Sequence, residues 1–435
     1  MTSGDGVLIR DLMDTLERLK EEISKCVRCG TCRSVCPTFK AIGRETACAR
    51  GRVTLVEHRL NGKLPLNENY LRHIKECTLC GACKSNCPNG VDTVRIFAGA
   101  RAEAVEKEGV PFAASVVFKN LLESNRLPLA LRVAGRLQGA LFRDAGESAG
   151  LLSRFPLPLV GSGRLVPPLA KTPFLELPEV KALNVREGRG GGKTGASAKV
   201  AFYAGCGVNY LMPGLGTASL EVLKRAGAET VVPAGQVCCG MPAYAMGDFS
   251  TARAMALKNL EIFESCDFDF ITTSCATCGH GLKTLFVEML GDVPELKKKA
   301  EALSAKVRDI SELLVNELGF KGRGPGRSVK ATYHDPCHLG RAQGVREEPR
   351  DLVASSPGVT LKEMKNPCSC CGLGGGLSIA NYELSMEIAK RKAENIRNSG
   401  AELVVTACPG CMVHLRDGLH RFGVDAKVAH VVELL

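Results

Sequence analysis

The chain has 435 residues, 45% of them hydrophobic, which is enough for several domains with proper cores. Aromatic residues make up only 5% and tryptophan is absent, which argues against a nucleic-acid binder that stacks single-stranded bases. The formal net charge of +11 overstates the positive charge if the cysteines serve as thiolate ligands, so the basic surface reads as docking charge for an acidic partner or a membrane surface.

Asp5–Ser24 reads as an amphipathic helix, with Leu12, Leu16, Leu19 and Ile23 at helical spacing. The same stretch mixes acidic and basic residues without an apolar core, so no secretory signal is expected and a reducing, cytoplasmic setting follows. No stretch reaches the roughly 18 apolar residues of a membrane span, which leaves peripheral association on the inner face. Arg52–Leu60 and Glu68–Lys75 also read as helices. No alternating strands occur near them, so residues 1–110 are predicted to form an all-α, ferredoxin-like domain.

Residues 111–198 are predicted to form a helical connector. Arg132, Arg136 and Arg143 punctuate an amphipathic pattern over Pro128–Phe142, and the glycine-rich Gly188–Ala198 reads as a flexible linker. Its GGKT is not a phosphate-binding loop, because Glu187 stands where that motif requires glycine. Beyond it the pattern is duplicated. Val200–Gly205 and Ala331–Pro336 are predicted strands ending at Cys206 and Cys337. Each is followed by helical character, a Cys-Cys-Gly tripeptide and another helix. Phe268–Ser274 and Glu402–Ala407 are then strands running into a Cys-x-x-Cys. Two small α/β domains, 199–325 and 326–435, follow from that alternation.

The 21 cysteines carry the chemistry. They cluster in steps of two or three residues, which suits metal ligation rather than disulfides. Cys26-x-x-Cys29-x-x-Cys32-x-x-x-Cys36-Pro37 is the bacterial ferredoxin run, and Cys77-x-x-Cys80-x-x-Cys83-x-x-x-Cys87-Pro88 repeats it at every position. Three closely spaced thiolates can meet one face of a cube, whereas the fourth lies too far along and ligates the other cluster. The spacing thus assigns Cys26, Cys29, Cys32 and Cys87 to one 4Fe–4S centre, and Cys77, Cys80, Cys83 and Cys36 to a second. Zinc also accepts four thiolates, but the duplicated triple step with its following proline favours iron–sulfur.

The second pattern is Cys206, Cys238-Cys239 and Cys275-x-x-Cys278, duplicated as Cys337, Cys370-Cys371 and Cys408-x-x-Cys411. Buried packing cysteines would not keep a repeated register, so these are metal-ligand candidates gathered at one end of each sheet. Taken with the ferredoxin runs, the layout resembles the D subunit of heterodisulfide reductase and its relatives, among them the iron–sulfur subunits of glycolate oxidase and lactate dehydrogenases. The resemblance implies two cysteine-rich CCG domains holding one or two further 4Fe–4S clusters of a non-cubane type. It also implies an electron-transfer subunit that works with an FAD-containing 2-hydroxyacid dehydrogenase and a quinone, cytochrome or other acceptor. The complete Cys275/Cys278 and Cys408/Cys411 pairs pull towards the heterodisulfide reductase side, where such clusters reduce a disulfide.

Cys48, Cys266 and Cys368 stay outside the ligand set. His280, His334, Asp335 and His338 flank the cysteines and are read as groups that tune them by hydrogen bonding. Gly372–Gly376 lacks the dinucleotide-loop spacing and is read as glycine permitting close backbone approach to a cluster. No flavin or nicotinamide motif is present in the sequence.

Overall fold

The computed structural model describes residues 19–123, 135, 138–146, 150–155, 163–183, 198–322, 326 and 328–435. Of the helix expected over Asp5–Ser24, residues 19–24 are described and are helical. Most of the Gly188–Ala198 linker and residues 128–134 of the expected connector helix lie outside the described residues. The chain divides into two compact units. One comprises Met1–Phe112, Pro242–Phe249 and Gly372–Ile388, and the other Ala113–Met241, Ser250–Cys371 and Ala389–Leu435.

The N-terminal unit is helical, with no strand among its described residues. Its longer helices are Ala49–Leu60, Glu68–Lys75 and Thr93–Glu108. The last two have a side-chain cap at their start. The Asn67 side chain accepts the Tyr70 amide at 3.0 Å, and Asp92 accepts the Arg95 amide at 3.2 Å. Gly109, at φ +78°, ends the last helix in a backbone region that costs other residues energy. The apolar faces meet in one core built from Leu19, Val53, Val56, Leu71, Ile74, Ile96 and Phe97.

A buried cation crosses that core. Arg101, 3% exposed, donates to the carbonyls of Ile74 (2.9 Å), Lys75 (3.2 Å), Cys77 (2.6 Å), Ala245 (2.5 Å) and Gly375 (2.7 Å). Desolvation lowers its pKa to about 10, which leaves it charged at neutral pH. The glycine run packs onto the same loop: a Cβ on Gly375 would lie 2.3 Å from the Cys77 oxygen, and one on Gly374 2.4 Å from that of Thr78. The close approach read from those glycines is therefore to the backbone that carries the second cysteine run.

The other unit contains eleven strands among its described residues. β1 (Phe142–Asp144), β2 (Leu151–Ser153) and β3 (Leu165–Val166) form an antiparallel sheet in the connector. The connector was expected to be helical. Its described part holds helix Phe112–Leu122, helical residues 138–141 at the end of the expected Pro128–Phe142 helix, then this sheet and the short helix Pro178–Lys181. The strands rest on apolar residues that come in short pairs between polar turns, too brief for a helical face.

β4 (Ala198–Phe202), β5 (Ala228–Val231), β6 (Phe270–Thr273) and β7 (Val307–Asp309) form a parallel sheet in the order β5-β4-β6-β7. β8 (Val329–Tyr333), β9 (Val359–Leu361), β10 (Leu403–Thr406) and β11 (Lys427–His430) repeat that connectivity as β11-β10-β8-β9. The central strands are buried on both faces and read as apolar runs in the sequence. The outer strands are short and half-polar (Ala-Glu-Thr-Val, Val-Arg-Asp), so their pattern does not announce them. In each sheet the cysteines follow the carboxyl ends of three neighbouring parallel strands, the two central ones and the outer β5 or β9, where open α/β sheets place their sites.

Replacing Arg101 with methionine leaves five carbonyls in a buried site without their donor. We expect a loss of about 3 kcal/mol, read as a lower urea midpoint for the helical circular-dichroism signal of the iron-loaded protein.

Candidate metal centres

None of the 21 cysteines is in a disulfide. In the N-terminal unit the thiols line two cavities. Cys26, Cys29, Cys32 and Cys87 share one with Arg28, Arg50 and Asn89. Cys36, Cys77 and Cys80 share the other with Thr38 and Arg52, and Cys83 reaches both. Each cavity therefore takes cysteines from both runs.

The backbone bends to achieve this. Arg28 (φ +57°) and Leu79 (φ +51°) occupy the same place in their Cys-x-x-Cys steps, and both are left-handed. Gly30 (φ +86°) and Gly81 (φ +69°) continue the turn. Left-handed backbone in an ordinary residue costs roughly 1–2 kcal/mol, and here it turns successive thiols towards a common point.

Hydroxyls and cations meet the sulfurs. Thr31 Oγ1 lies 3.3 Å from Cys29 Sγ, Thr38 Oγ1 3.2 Å from Cys36 Sγ, and Thr93 Oγ1 3.0 Å from Cys83 Sγ. The Thr31 hydroxyl holds the Cys29 thiol below its ordinary pKa, whereas burial pushes Cys36 up against the opposing pull of Thr38 and Arg52. Arg52 is 1% exposed. It donates to His73 O (2.7 Å), Ala47 O (2.5 Å) and Thr38 Oγ1 (3.1 Å), while its Nη2 has no hydrogen-bond partner. Cys48 is buried, lies 3.2 Å from Glu45 Oε1 and hydrogen-bonds to Cys32. It thus adjoins a ligand candidate without lining either cavity.

In the first cysteine-rich domain all five sulfurs connect. Cys206 and Cys238 are 3.9 Å apart, and hydrogen-bonding contacts run from Cys238 to Cys239, Cys239 to Cys278 and Cys278 to Cys275. Their neighbours set the protons: contacts from Cys238 and Cys278 hold Cys239 well below its ordinary pKa, and the Cys238 contact together with burial raises Cys206. Gly205 (φ +64°) makes the approach possible, since a Cβ there would sit 2.6 Å from Cys278 Sγ. The loop that carries the vicinal pair is fixed by Tyr203 Oη donating to Val237 O (2.6 Å) and by Gln236 bonding Ala204 N and Phe202 O.

In the second domain Cys371 and Cys411 are 3.9 Å apart, and Cys411 contacts Cys408. The His334 ring atoms lie with Cys371 and Cys411 inside a 4.8 Å cluster of buried donors. Cys337 opens a π-turn (Cys337–Arg341) at the end of β8, and Cys370 is buried beside Cys371. Cys368 is exposed and Cys266 half-buried. The two groups adjoin, because Cys275 and Cys408 hydrogen-bond to each other and the Ala276 amide donates to Ala407 O at 3.1 Å. Thr277 Oγ1 stands 3.6 Å from Cys408 Sγ and 3.1 Å from His338 Nδ1, and the His280 and His338 rings are 4.9 Å apart.

These donor sets fit iron–sulfur clusters: they are thiols outside any disulfide, most of them buried or half-buried, with N–H and O–H donors around them. Sequence reasoning passed over Arg52, Thr38, Thr93, Asn259 and Lys392. The hydroxyl two residues after Cys29 and Cys36 was the one available hint; the buried cations gave none.

Comparison with known proteins agrees with this geometry. Residues 22–91 match a 4Fe-4S dicluster domain, and residues 200–283 and 331–416 each match a cysteine-rich CCG domain. Among curated relatives, the probable glycolate oxidase iron-sulfur subunit of Bacillus subtilis is 31% identical over 96% of this chain and 95% of its own length. Lactate utilization protein A of Bacillus subtilis is 32% identical over 54% of this chain and 98% of its own. The B subunit of the CoM/CoB fumarate reductase of Methanothermobacter marburgensis is 38% identical over 55% of this chain and 46% of its own.

Gly205→Ala drives a methyl group into Cys278 on a strained backbone. We expect it to lower iron retention per chain, whereas Gly214→Ala, whose Cβ meets nothing within 4 Å, leaves retention unchanged. Iron and sulfide assays on anaerobically purified protein check this.

Proposed function

This chain belongs to the family of iron–sulfur oxidoreductase subunits that includes the glycolate oxidase iron-sulfur subunit and lactate utilization protein A, and from that premise we propose that it carries electrons away from a 2-hydroxyacid dehydrogenase. The donor is a separate FAD-containing subunit that oxidises glycolate or lactate. The acceptor is a quinone, a cytochrome or another carrier, reached by peripheral docking at the inner face of the membrane. No helix of the described residues is long and apolar enough to cross a membrane.

In this reading residues 1–110 form an all-α ferredoxin-like domain. Cys26, Cys29, Cys32 and Cys87 hold one 4Fe–4S cluster, and Cys77, Cys80, Cys83 and Cys36 hold the other. Residues 111–198 connect it to two cysteine-rich domains, 199–325 and 326–435. There Cys206, Cys238, Cys239, Cys275 and Cys278 hold a third cluster, and Cys337, Cys370, Cys371, Cys408 and Cys411 a fourth. Such clusters supply one-electron relays over a wide range of potentials. The chain's own residues exclude water, orient the thiols and donate hydrogen bonds to them. The observation that carries the reading is that each N-terminal cavity draws its cysteines from both runs, as two-cluster ferredoxin geometry requires.

One observation favours a second reading, in which the cysteine-rich domains reduce a disulfide. The two complete sulfur groups adjoin at Cys275 and Cys408, beside the facing rings of His280 and His338, where a bound disulfide could receive electrons and a proton.

Anaerobic iron and sulfide analysis with electron paramagnetic resonance tests both readings. Four clusters correspond to about sixteen irons per chain, and a Cys238→Ser/Cys370→Ser variant is expected to lose iron while its ferredoxin-type signals persist. About eight irons, untouched by the substitutions, would leave only the N-terminal relay. A new paramagnetic species on adding an organic disulfide favours the reductase reading.

A further inference from the structure

The two cysteine-rich domains repeat each other closely enough that their differences are informative. After each Cys-Cys-Gly, one helix packs behind the vicinal cysteines, Phe249–Glu264 in the first domain and Tyr382–Ser399 in the second. Their buried residues keep one register: Ala256, Asn259, Leu260 and Phe263 answer to Ala389, Lys392, Ala393 and Ile396. Asn259 and Lys392 stand at the same separation from Cys275 and Cys408. Both brace the loop in front of the vicinal pair. Asn259 accepts the Val237 amide (3.1 Å) and donates to Cys238 O (3.1 Å) and Met255 O (2.9 Å). Lys392 donates to Asn366 O and Pro367 O, both at 3.0 Å, and lies 3.8 Å from Met364 Sδ.

The mechanical role is shared, but the charge is not. Lys392 is 1% exposed, and burial lowers its pKa to about 8 against the opposing pull of the Cys371, Cys368 and Cys370 sulfurs. Its Nζ donates to two backbone carbonyls, an arrangement that suits the ammonium form. Its hydrogen-bond partners are all uncharged. The carboxylate electrostatically nearest to it, Asp335, is held in a two-pronged bond by Arg350 at 2.8 and 2.9 Å. A buried ammonium without a carboxylate partner is costly unless another anion lies close, and Cys371 shares a cavity wall with Lys392. The first domain has a neutral amide at this position. The neighbouring difference is His334 in place of Tyr203, which brings an imidazole rather than a phenol to the same strand end.

On the reading that both groups hold clusters, we infer that Lys392 makes the second cysteine-rich centre the stronger electron acceptor of the pair, so that electrons run from the Cys206 group to the Cys337 group. Reduction adds negative charge to a cluster, and a fixed cation beside it stabilises the reduced form. Each transfer oxidises the first centre by one electron and reduces the second by one, with no proton or further reagent. The Cys275–Cys408 contact puts the two groups next to each other.

The test is a redox titration of the iron-loaded protein followed by electron paramagnetic resonance. Single Cys238→Ser and Cys370→Ser variants assign each signal to its domain. In the wild type the second centre should be reduced at the higher potential. In Lys392→Asn, which installs the first domain's residue, its midpoint should fall while that of the first centre stays in place. The ratio of reduced second to reduced first centre should drop about tenfold or more at equilibrium, which is about 59 mV for a one-electron couple. A lysine that only braces the loop would alter iron retention and leave the midpoint of the retained cluster unchanged. An unchanged midpoint in an iron-replete Lys392→Asn protein overturns the inference, as does a wild type whose first centre is reduced first. If Lys392→Asn loses its iron, the wild-type order decides. Iron analysis that finds both groups empty refutes the cluster assignment itself, which is a different result from loaded centres in the wrong order.

Discussion

Thiols that share a metal must converge, and convergence is the constraint around which this chain is shaped. A regular helix or strand cannot bring three sulfurs from one short loop to a point. The backbone therefore leaves the common regions where the sulfurs are. Arg28 and Leu79 are left-handed at matching places in the two ferredoxin runs, and Gly205 is left-handed where Cys278 comes within reach. The helices and sheets around these loops supply the rigidity that keeps a strained backbone in place. The cost is local, and the packing of Val53, Ile74, Ile96 and Phe97 on one side and of the buried strands on the other offsets it.

A second constraint follows from the first. Gathered thiolates are gathered negative charge, and burial makes that charge expensive. The chain answers with buried cations and hydroxyls: Arg52 beside Cys36, Arg101 against the Cys77 carbonyl, Lys392 behind Cys371, and threonines at Cys29, Cys36 and Cys83. The same residues organise the fold. Arg101 and Lys392 each tie a cysteine loop to a helix by its carbonyl groups, so removing either charge also removes a brace.

The cysteines and the central strands were legible in the sequence because their signals are local. The Cys-x-x-Cys steps, the repeated Cys-Cys-Gly and apolar runs such as Val-Ala-Phe and Leu-Val-Val each declare themselves within a few residues. The outer strands β5, β7, β9 and β11 were not, since a three- or four-residue strand with polar members lacks the periodicity that distinguishes a strand from a turn. The sheet in the connector was missed for the same reason. The buried arginines and Lys392 ran against the expectation that such residues face water. What they touch is mostly backbone carbonyl, and no pattern of side chains announces a carbonyl.

The segments that complete the N-terminal unit have a temporal consequence. Arg101 finds its carbonyl partners at Ala245 and Gly375, and Gly374 and Gly375 close over Cys77 and Thr78. The ribosome delivers residues in order, at about 5–20 per second, so the first cysteine runs emerge long before the glycine loop that covers them. During that interval the Cys77 loop stands open and its arginine is only partly satisfied. Loading of metal into this unit thus has a natural window during synthesis, which closes only once Gly374 and Gly375 have emerged.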